Sequence, residues 1–345
     1  MKAFLDSRQH LHDPQNFMAN GTVSQNPEVP ARIGILKAGG KAAGCQFAAP
    51  NDHGQGPIAA VHSAEYLTFL RTIHSRWSRI DGASNEVIPN IHPANRTDSY
   101  PLSAVGQAGF HQADTSCPIS AGTWESAYWS AQTALSASEA VAAGDRAAYA
   151  LCRPPGHHAF ADLAGGFCFL NNAGIAAQNL LRHGLRPAIL DVDVHHGNGT
   201  QGMFYDRADV LTVSIHADPI RFYPFFWGHA HERGVGAGLG ANLNLALPRG
   251  TGDDDYLATL NTALARIGDF GADVIVVALG LDAYINDPFK GLAITTPGFQ
   301  RIARAISQSG LPLVIVQEGG YICDGLGANL TAFLNGVTAN APANP

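Results

Sequence analysis

The chain has 345 residues, of which 46% are hydrophobic, 8% aromatic and 14% charged, and its formal net charge is −7 at pH 7. Average soluble domains carry about 25% charged residues, and this much hydrophobicity with so little charge excludes intrinsic disorder. An excess of acid with no Lys/Arg run excludes a nucleic-acid groove built on phosphate neutralisation and favours small cationic partners.

In chain order, the start MKAFLDSRQHLHD has no apolar core of the kind a secretory leader needs. The longest apolar run, Val274 to Leu281, falls short of the roughly 20 residues that span a bilayer. A soluble, cytoplasmic protein is expected, with no membrane partner. Residues 71–122 carry Pro89, Pro93, Pro101 and Pro118 and read as an inserted loop region. From there the pattern becomes regular. Trp124 to Ala143 is Ala-rich and reads as a helix ended by Gly144. A strand follows at Ala147 to Cys152, a helix at Asn172 to His183, and strands at Ala188 to Val192 and Val210 to Ile215. Tyr256 to Phe270 reads as a helix, Val274 to Leu279 as a buried strand, Phe299 to Ser309 as a helix and Leu313 to Gln317 as a strand. Strands separated by helices need crossover connections, so one α/β domain over 1–345 is expected, with a parallel sheet covered on both faces. The five cysteines form no CxxC pair and read as reduced thiols, mostly core filler.

Three of these strands run into polar residues, and in an open α/β sheet ligands bind beyond the carboxyl ends of strands. After Ala188 to Leu190 come Asp191, Asp193 and His195, alternating with Val192 and Val194. Side chains alternate along a strand, so the three polar groups share one face. Two carboxylates and an imidazole buried together repel and desolvate one another unless a cation joins them; a strand fraying into a polar loop is the plainer alternative. Asp282 follows the second strand, as a helix cap, a turn residue or a third metal ligand. Glu318-Gly319-Gly320-Tyr321 follows the third, and Tyr321 is either a packing aromatic or a donor to a developing oxyanion. His157 and His158 sit in a Pro-Gly turn, Arg153 to Ala159, where general acid/base work is the better reading and Asp191 can orient one ring.

RPPGHH (153–158), GGFCFLNN (165–172), DVDVHHGNGTQ (191–201), VSIH (213–216), LGLDA (279–283) and EGGY (318–321) occur in the order of the histone deacetylase superfamily, which the chain resembles over nearly its whole length. Within it, Glu28, Pro30 and Arg32, the GTWE of 122–125 and the compact length are most similar to the bacterial acetylpolyamine amidohydrolases. The resemblance implies an arginase/deacetylase-like fold with about eight strands. It implies Zn²⁺ (or Fe²⁺) on Asp193, His195 and Asp282, His158 as general base and then acid, His157 as an electrostatic partner backed by Asp191, and Tyr321 polarising the scissile carbonyl. It implies a structural K⁺ near Asp191, Asp193, His195 and Ser214, and a tunnel walled by Phe167 and Tyr223 with Gly166. Asn198 stands where class I histone deacetylases carry Asp, as in the acetylpolyamine enzymes. The segment 71–122 resembles their subunit-pairing loop, which also narrows the mouth, so a homodimer is expected. Val105 and Ser116 stand where better-known relatives have rim glutamates, leaving Asp114 as the substitute that meets a distal amine.

The expected activity is zinc-dependent hydrolysis of the acetyl amide of acetylputrescine, acetylcadaverine or a longer acetylpolyamine. A protein-lysine deacetylase is the alternative. An arginase-type binuclear ureohydrolase would want an acid two residues after Asp282, where Tyr284 stands. A silent binder of acetylated ligands would have no need of His158 or Tyr321.

Overall fold

The computed structural model describes residues 1–339; residues 340–345 of the expected domain lie outside the described residues. The strands are β1 (Lys2–Phe4), β2 (Asn16–Ala19), β3 (Thr22–Gln25), β4 (Gln46–Ala48), β5 (Ala147–Ala150), β6 (Pro187–Asp191), β7 (Leu211–Ala217), β8 (Asn242–Leu247), β9 (Val274–Leu279) and β10 (Leu313–Gln317). The α-helices are α1 (Ala31–Ala42), α2 (Gly56–Ala59), α3 (Ala64–Trp77), α4 (Ala104–His111), α5 (Thr123–Ala142), α6 (Asn172–Arg182), α7 (Asn198–Phe204), α8 (Asp253–Phe270), α9 (Thr296–Ser307) and α10 (Leu326–Thr338). Strands β2 and β3 form an antiparallel hairpin. The main sheet has eight strands in the order β4-β1-β5-β10-β9-β6-β7-β8, all parallel.

Alternation along the central strands fills two cores. Val274, Val276, Ala278, Val314 and Val316 face one side, against Ala134, Ala137, Ala173, Ala176 and Ala177 of α5 and α6. Alanines there let the two helices lie close to the sheet. On the other side, Ile275, Val277, Leu279 and Ile315 meet larger residues of α8, α9 and α10, including Leu260, Ile302 and Phe333. Each fully buried aliphatic or Phe side chain contributes about 1.5–3 kcal/mol. Local signals place the helix ends. Asn171 and Thr295 accept from the amides of Gly174 and Gly298 as N-caps, and three aspartates open α8 where the helix dipole favours them.

The five expected strands and four expected helices are present, with ends displaced by up to three residues. Strand β6 stops at Asp191, so Asp193 and His195 lie on the loop beyond it rather than on a continuing strand. Strands β1 and β4 were not expected, nor were β2, β3 and β8 or helices α1, α2, α3, α4, α7 and α10. The first two strands have three residues each, too few to show a period. Segment 71–122 is less irregular than its prolines suggest. Its start belongs to α3, it contains α4, and a bridge pairs Val87 with Ile119. Trp77, Val87, Cys117 and Ile119 are buried in a third core shared with α3 and α5. All five cysteines are free, and four are buried. Among the described residues no helix is long and apolar enough to cross a membrane.

Because the sheet is parallel, the loops leaving β5, β6, β7, β9 and β10 gather at one edge. Register aligns them: Asp191 pairs with both Ala278 and Ser214, and Gln317 with Leu279.

Candidate active site

At that edge opens a cavity of about 660 Å³, whose walls include Asp114, His158, Phe167, His195, Tyr223 and Tyr321. Asp193 and His195 come from the loop after β6, and Asp282 from the loop after β9. One ligand-capable atom from each lies within 4.8 Å of the others, and all three residues are buried. Their orientation is fixed by backbone amides. Asp193 Oδ1 accepts from the amide of His195 (2.9 Å) and Oδ2 from that of Gly319 (2.9 Å), while Asp282 Oδ1 accepts from the amide of Val194 (3.2 Å). Gly319 has no substitute there, because a Cβ would run into the carboxylates of Asp282 and Asp193.

This donor set calls for a cation. Asp282 Oδ2 is buried without a hydrogen-bond partner; it lies 3.2 Å from His195 Nδ1, close enough for attraction but not aligned as a bond. Burial and the neighbouring Asp193 push the Asp282 carboxyl above its ordinary range. Burial disfavours a charged His195, yet the carboxylates of Asp193 and Asp282 outweigh it and hold the imidazole up at about 9. Two buried carboxylates thus draw a positive charge between them, and their oxygens with an imidazole nitrogen suit a divalent ion.

The tandem histidines are set apart by their partners. His157 Nδ1 lies 2.9 Å from Asp191 Oδ2. Burial opposes its protonation, but Asp191 and then Asp193 prevail and raise it to about 10. His158 Nδ1 lies 2.7 Å from the side-chain oxygen of Asn198, at the start of α7. Burial, then the charges on His157 and His195, keep His158 well below the usual histidine range. The ring is neutral at pH 7; a proton on Nδ1 shared with Asn198 leaves the Nε2 lone pair free. The two rings stand 4.0 Å apart, and Tyr223 packs edge-on to His158 at 4.9 Å.

Tyr321 lies on the same cavity wall, 3% exposed. Burial and the Asp282 carboxylate push its hydroxyl well above 10, so it keeps its proton. Phe167, with φ of +67°, and Phe289 pack on it at 5.8 and 4.7 Å. Gly166 also lines the cavity. Asp114 Oδ2 accepts from the Tyr223 hydroxyl (2.7 Å) and the Gly166 amide (3.2 Å), and Oδ1 accepts from the Ser116 amide (2.8 Å). The expected distal-amine acid is therefore on the wall, with its oxygens already engaged by the protein. Ser116 lines the cavity, whereas Val105 packs against the core under α3 and α4. At the mouth Arg96 pairs with Asp162 at 2.9 Å. Ser214 and Asp191 line a separate polar void of about 10 Å³, with Ser214 Oγ 2.8 Å from His216 Nδ1.

Every residue expected at the site thus gathers around the cavity, the triad beneath it or the adjoining void. Sequence reasoning missed Phe17, Phe222, Trp227 and Phe289. Phe222 stacks on His195 at 4.8 Å and 5°. Phe17 sits in the short hairpin strand β2 and Phe289 is a lone loop aromatic, and only the aromatic run Phe222 to Trp227 offered a signal.

Fold and site together define a metal-dependent hydrolase built on a parallel α/β sheet. Residues 26–337 match the model of the histone deacetylase domain, and the chain belongs to that family of deacetylases. It is 46% identical over 340 residues to the acetylpolyamine amidohydrolase of Burkholderia pseudomallei, covering 98% of this chain and 99% of that one. Identity to the acetylpolyamine amidohydrolase of Mycoplana ramosa is 41% over 340 residues, with the same coverage. The crystal structure of acetylpolyamine aminohydrolase from Burkholderia pseudomallei superposes with a TM-score of 0.95 at 46% identity, covering 98% of this chain and 99% of that one. The arginase/deacetylase-like fold expected from the motifs is the fold this chain has.

Proposed function

We propose that this chain hydrolyses the acetyl amide of small acetylated amines, acetylpolyamines such as acetylputrescine or acetylcadaverine, releasing acetate and the free amine. The observation that carries the reading is the convergence of buried Asp193, His195 and Asp282 beneath a cavity walled by a neutral His158 and a protonated Tyr321. Relatives named as acetylpolyamine amidohydrolases over almost their full length support the substrate class.

The three ligands would hold a divalent ion, Zn²⁺, or Fe²⁺ as the alternative that metal analysis decides. Such an ion supplies Lewis acidity, lowering the pKa of water and polarising a carbonyl. His158 takes the proton of the attacking water on Nε2, the nitrogen left free by the bond of Nδ1 to Asn198. The protonated His158 then delivers that proton to the leaving amine. Charged His157, neutralised by Asp191, stabilises negative charge as it builds. The Tyr321 hydroxyl donates to the developing oxyanion. Phe167 and Tyr223 would flank the extended amine chain.

K⁺ is proposed near Asp191 and Ser214, which share the polar void, while the other two expected cation residues, Asp193 and His195, do not line it. The segment 71–122, with Ile91 and Leu102 exposed, is proposed to pair two copies, and light scattering at the dimer mass supports that pairing while a monomer refutes it. Five free cysteines fit a cytoplasmic setting. The central test is metal analysis with kinetics on acetylputrescine, acetylcadaverine, longer acetylpolyamines and an acetyl-lysine peptide. Bound divalent metal with the small amines turned over faster than the peptide supports the reading. Peptide preference, or full activity in metal-free protein, overturns it.

A further inference from the structure

Asp287 belongs to the loop after β9 and is 0% exposed. Its carboxylate accepts two backbone amides from different loops. Oδ1 accepts from Phe289 at 2.9 Å, and Oδ2 from Tyr321 at 3.0 Å. The first bond closes a local turn, which a neutral Asn could close equally well. A buried carboxylate costs more than a buried amide group, and what it adds is a second acceptor where an Asn presents a donor. That second acceptor is the one on Tyr321.

The rings of the two amide donors meet. Phe289 and Tyr321 lie 4.7 Å apart at 67°, and Phe289 also stands edge-on to His195 at 5.4 Å and 82°. Tyr321 follows two glycines, Gly320 at φ of +109°, so the preceding backbone has little preference of its own for one direction. What grips the Tyr321 amide therefore decides where its side chain starts.

We propose that Asp287 is a positioning residue for Tyr321, fixing its backbone and the Phe289 wall packed on its ring through one buried carboxylate. The inference rests on the reading of Tyr321 as the oxyanion donor. Asp287 touches no substrate; it acts through the residue it holds. Misplacing a catalytic group by about 1 Å costs up to about 10²-fold in rate.

The test is Asp287→Asn in two backgrounds, wild type and Tyr321→Phe. The Asn side chain keeps an oxygen for Phe289 and turns its NH₂ toward the Tyr321 amide. In the wild-type background kcat falls about tenfold or more with KM within about twofold, and in the Tyr321→Phe background the same change costs less than about twofold. In metal-free protein, amide hydrogen exchange of the peptide containing Tyr321 speeds up. Where Asp287→Asn does not fold, Asp287→Ser keeps a local acceptor for Phe289 and is read in the same way. An unchanged kcat, or an equal loss in both backgrounds, overturns the inference. Tyr321→Phe turning over like wild type instead overturns the donor reading, and this inference with it.

Discussion

The floor and the mouth of the cavity are built by different rules. At the floor, Asp193, Asp282, His157, His158 and His195 are all buried, and each is tied to a named partner by a bond of 3.2 Å or less. They sit two to four residues beyond β6 and β9 or in the turn after β5, so the sheet register dictates where they point. At the mouth, Phe225, Phe226 and Trp227 come from the long connection after β7 and are 49%, 84% and 37% exposed. Groups that hold charge away from water sit in short, buried turns directly past the sheet strands, while the exposed aromatics sit on a longer connection.

That division can be broken experimentally, beginning where the effect is largest. Asp282→Ala removes one of two buried carboxylates and should cost at least about 10⁴-fold in turnover together with the bound metal, read by metal analysis beside kinetics. Retained metal and activity would move the chemistry away from the floor. His158→Ala should lower kcat about 10³-fold while metal content stays at the wild-type level; loss of metal as well would make the ring a structural element instead.

A smaller effect comes from the frame behind the mouth. His62 is buried, accepts from the amide of Asn171 at 2.9 Å, and is lowered to about 4 chiefly by burial. In the unfolded chain a histidine titrates near 6.5, so as pH falls the unfolded state takes up the proton first. The stabilisation is complete above about pH 6.5 and is lost on the way down to about 4, a change of about 3 kcal/mol. Urea unfolding at stepped pH should show that slope, and His62→Gln, which keeps an acceptor near the same place, should flatten it. A slope identical in both proteins would assign the acid sensitivity elsewhere.

Phe226→Ala at the rim should have the least effect. With kcat unchanged, KM for a cationic acetylated amine rises about 2–5-fold through loss of a ring face. A fall in kcat of the same size would show that the mouth is coupled to the floor after all.

Much of the floor was legible because its residues follow apolar runs directly. The alternation of Asp191, Asp193 and His195, the Asp after Val274 to Leu281 and the Tyr after a Gly pair each announce themselves by chemistry that a buried strand does not tolerate. Asp287 was not legible. Asn-Asp-Pro reads as an ordinary turn, and its second bond reaches Tyr321, which is 34 positions away. Phe222 and Phe289 were hidden for the same reason, since an aromatic in a loop says nothing about which ring it will meet. Strands β1 and β4 were too short to carry a period, and they enter the sheet because Lys2 to Phe4 pairs on both sides, with β4 and with β5.

By itself, the sequence determined the α/β class, the parallel sheet and the identity of the polar residues at its carboxyl edge, because those depend on local periodicity and on residue type. Tertiary structure alone decided the separate states of the tandem histidines, one held up at about 10 by Asp191 and the other kept neutral beside Asn198. It also decided that Asp114 spends its oxygens on Tyr223, Ser116 and Gly166. Burial and the charges brought in by distant strands set a proton's affinity for a site, and neither is encoded in the residues next to it.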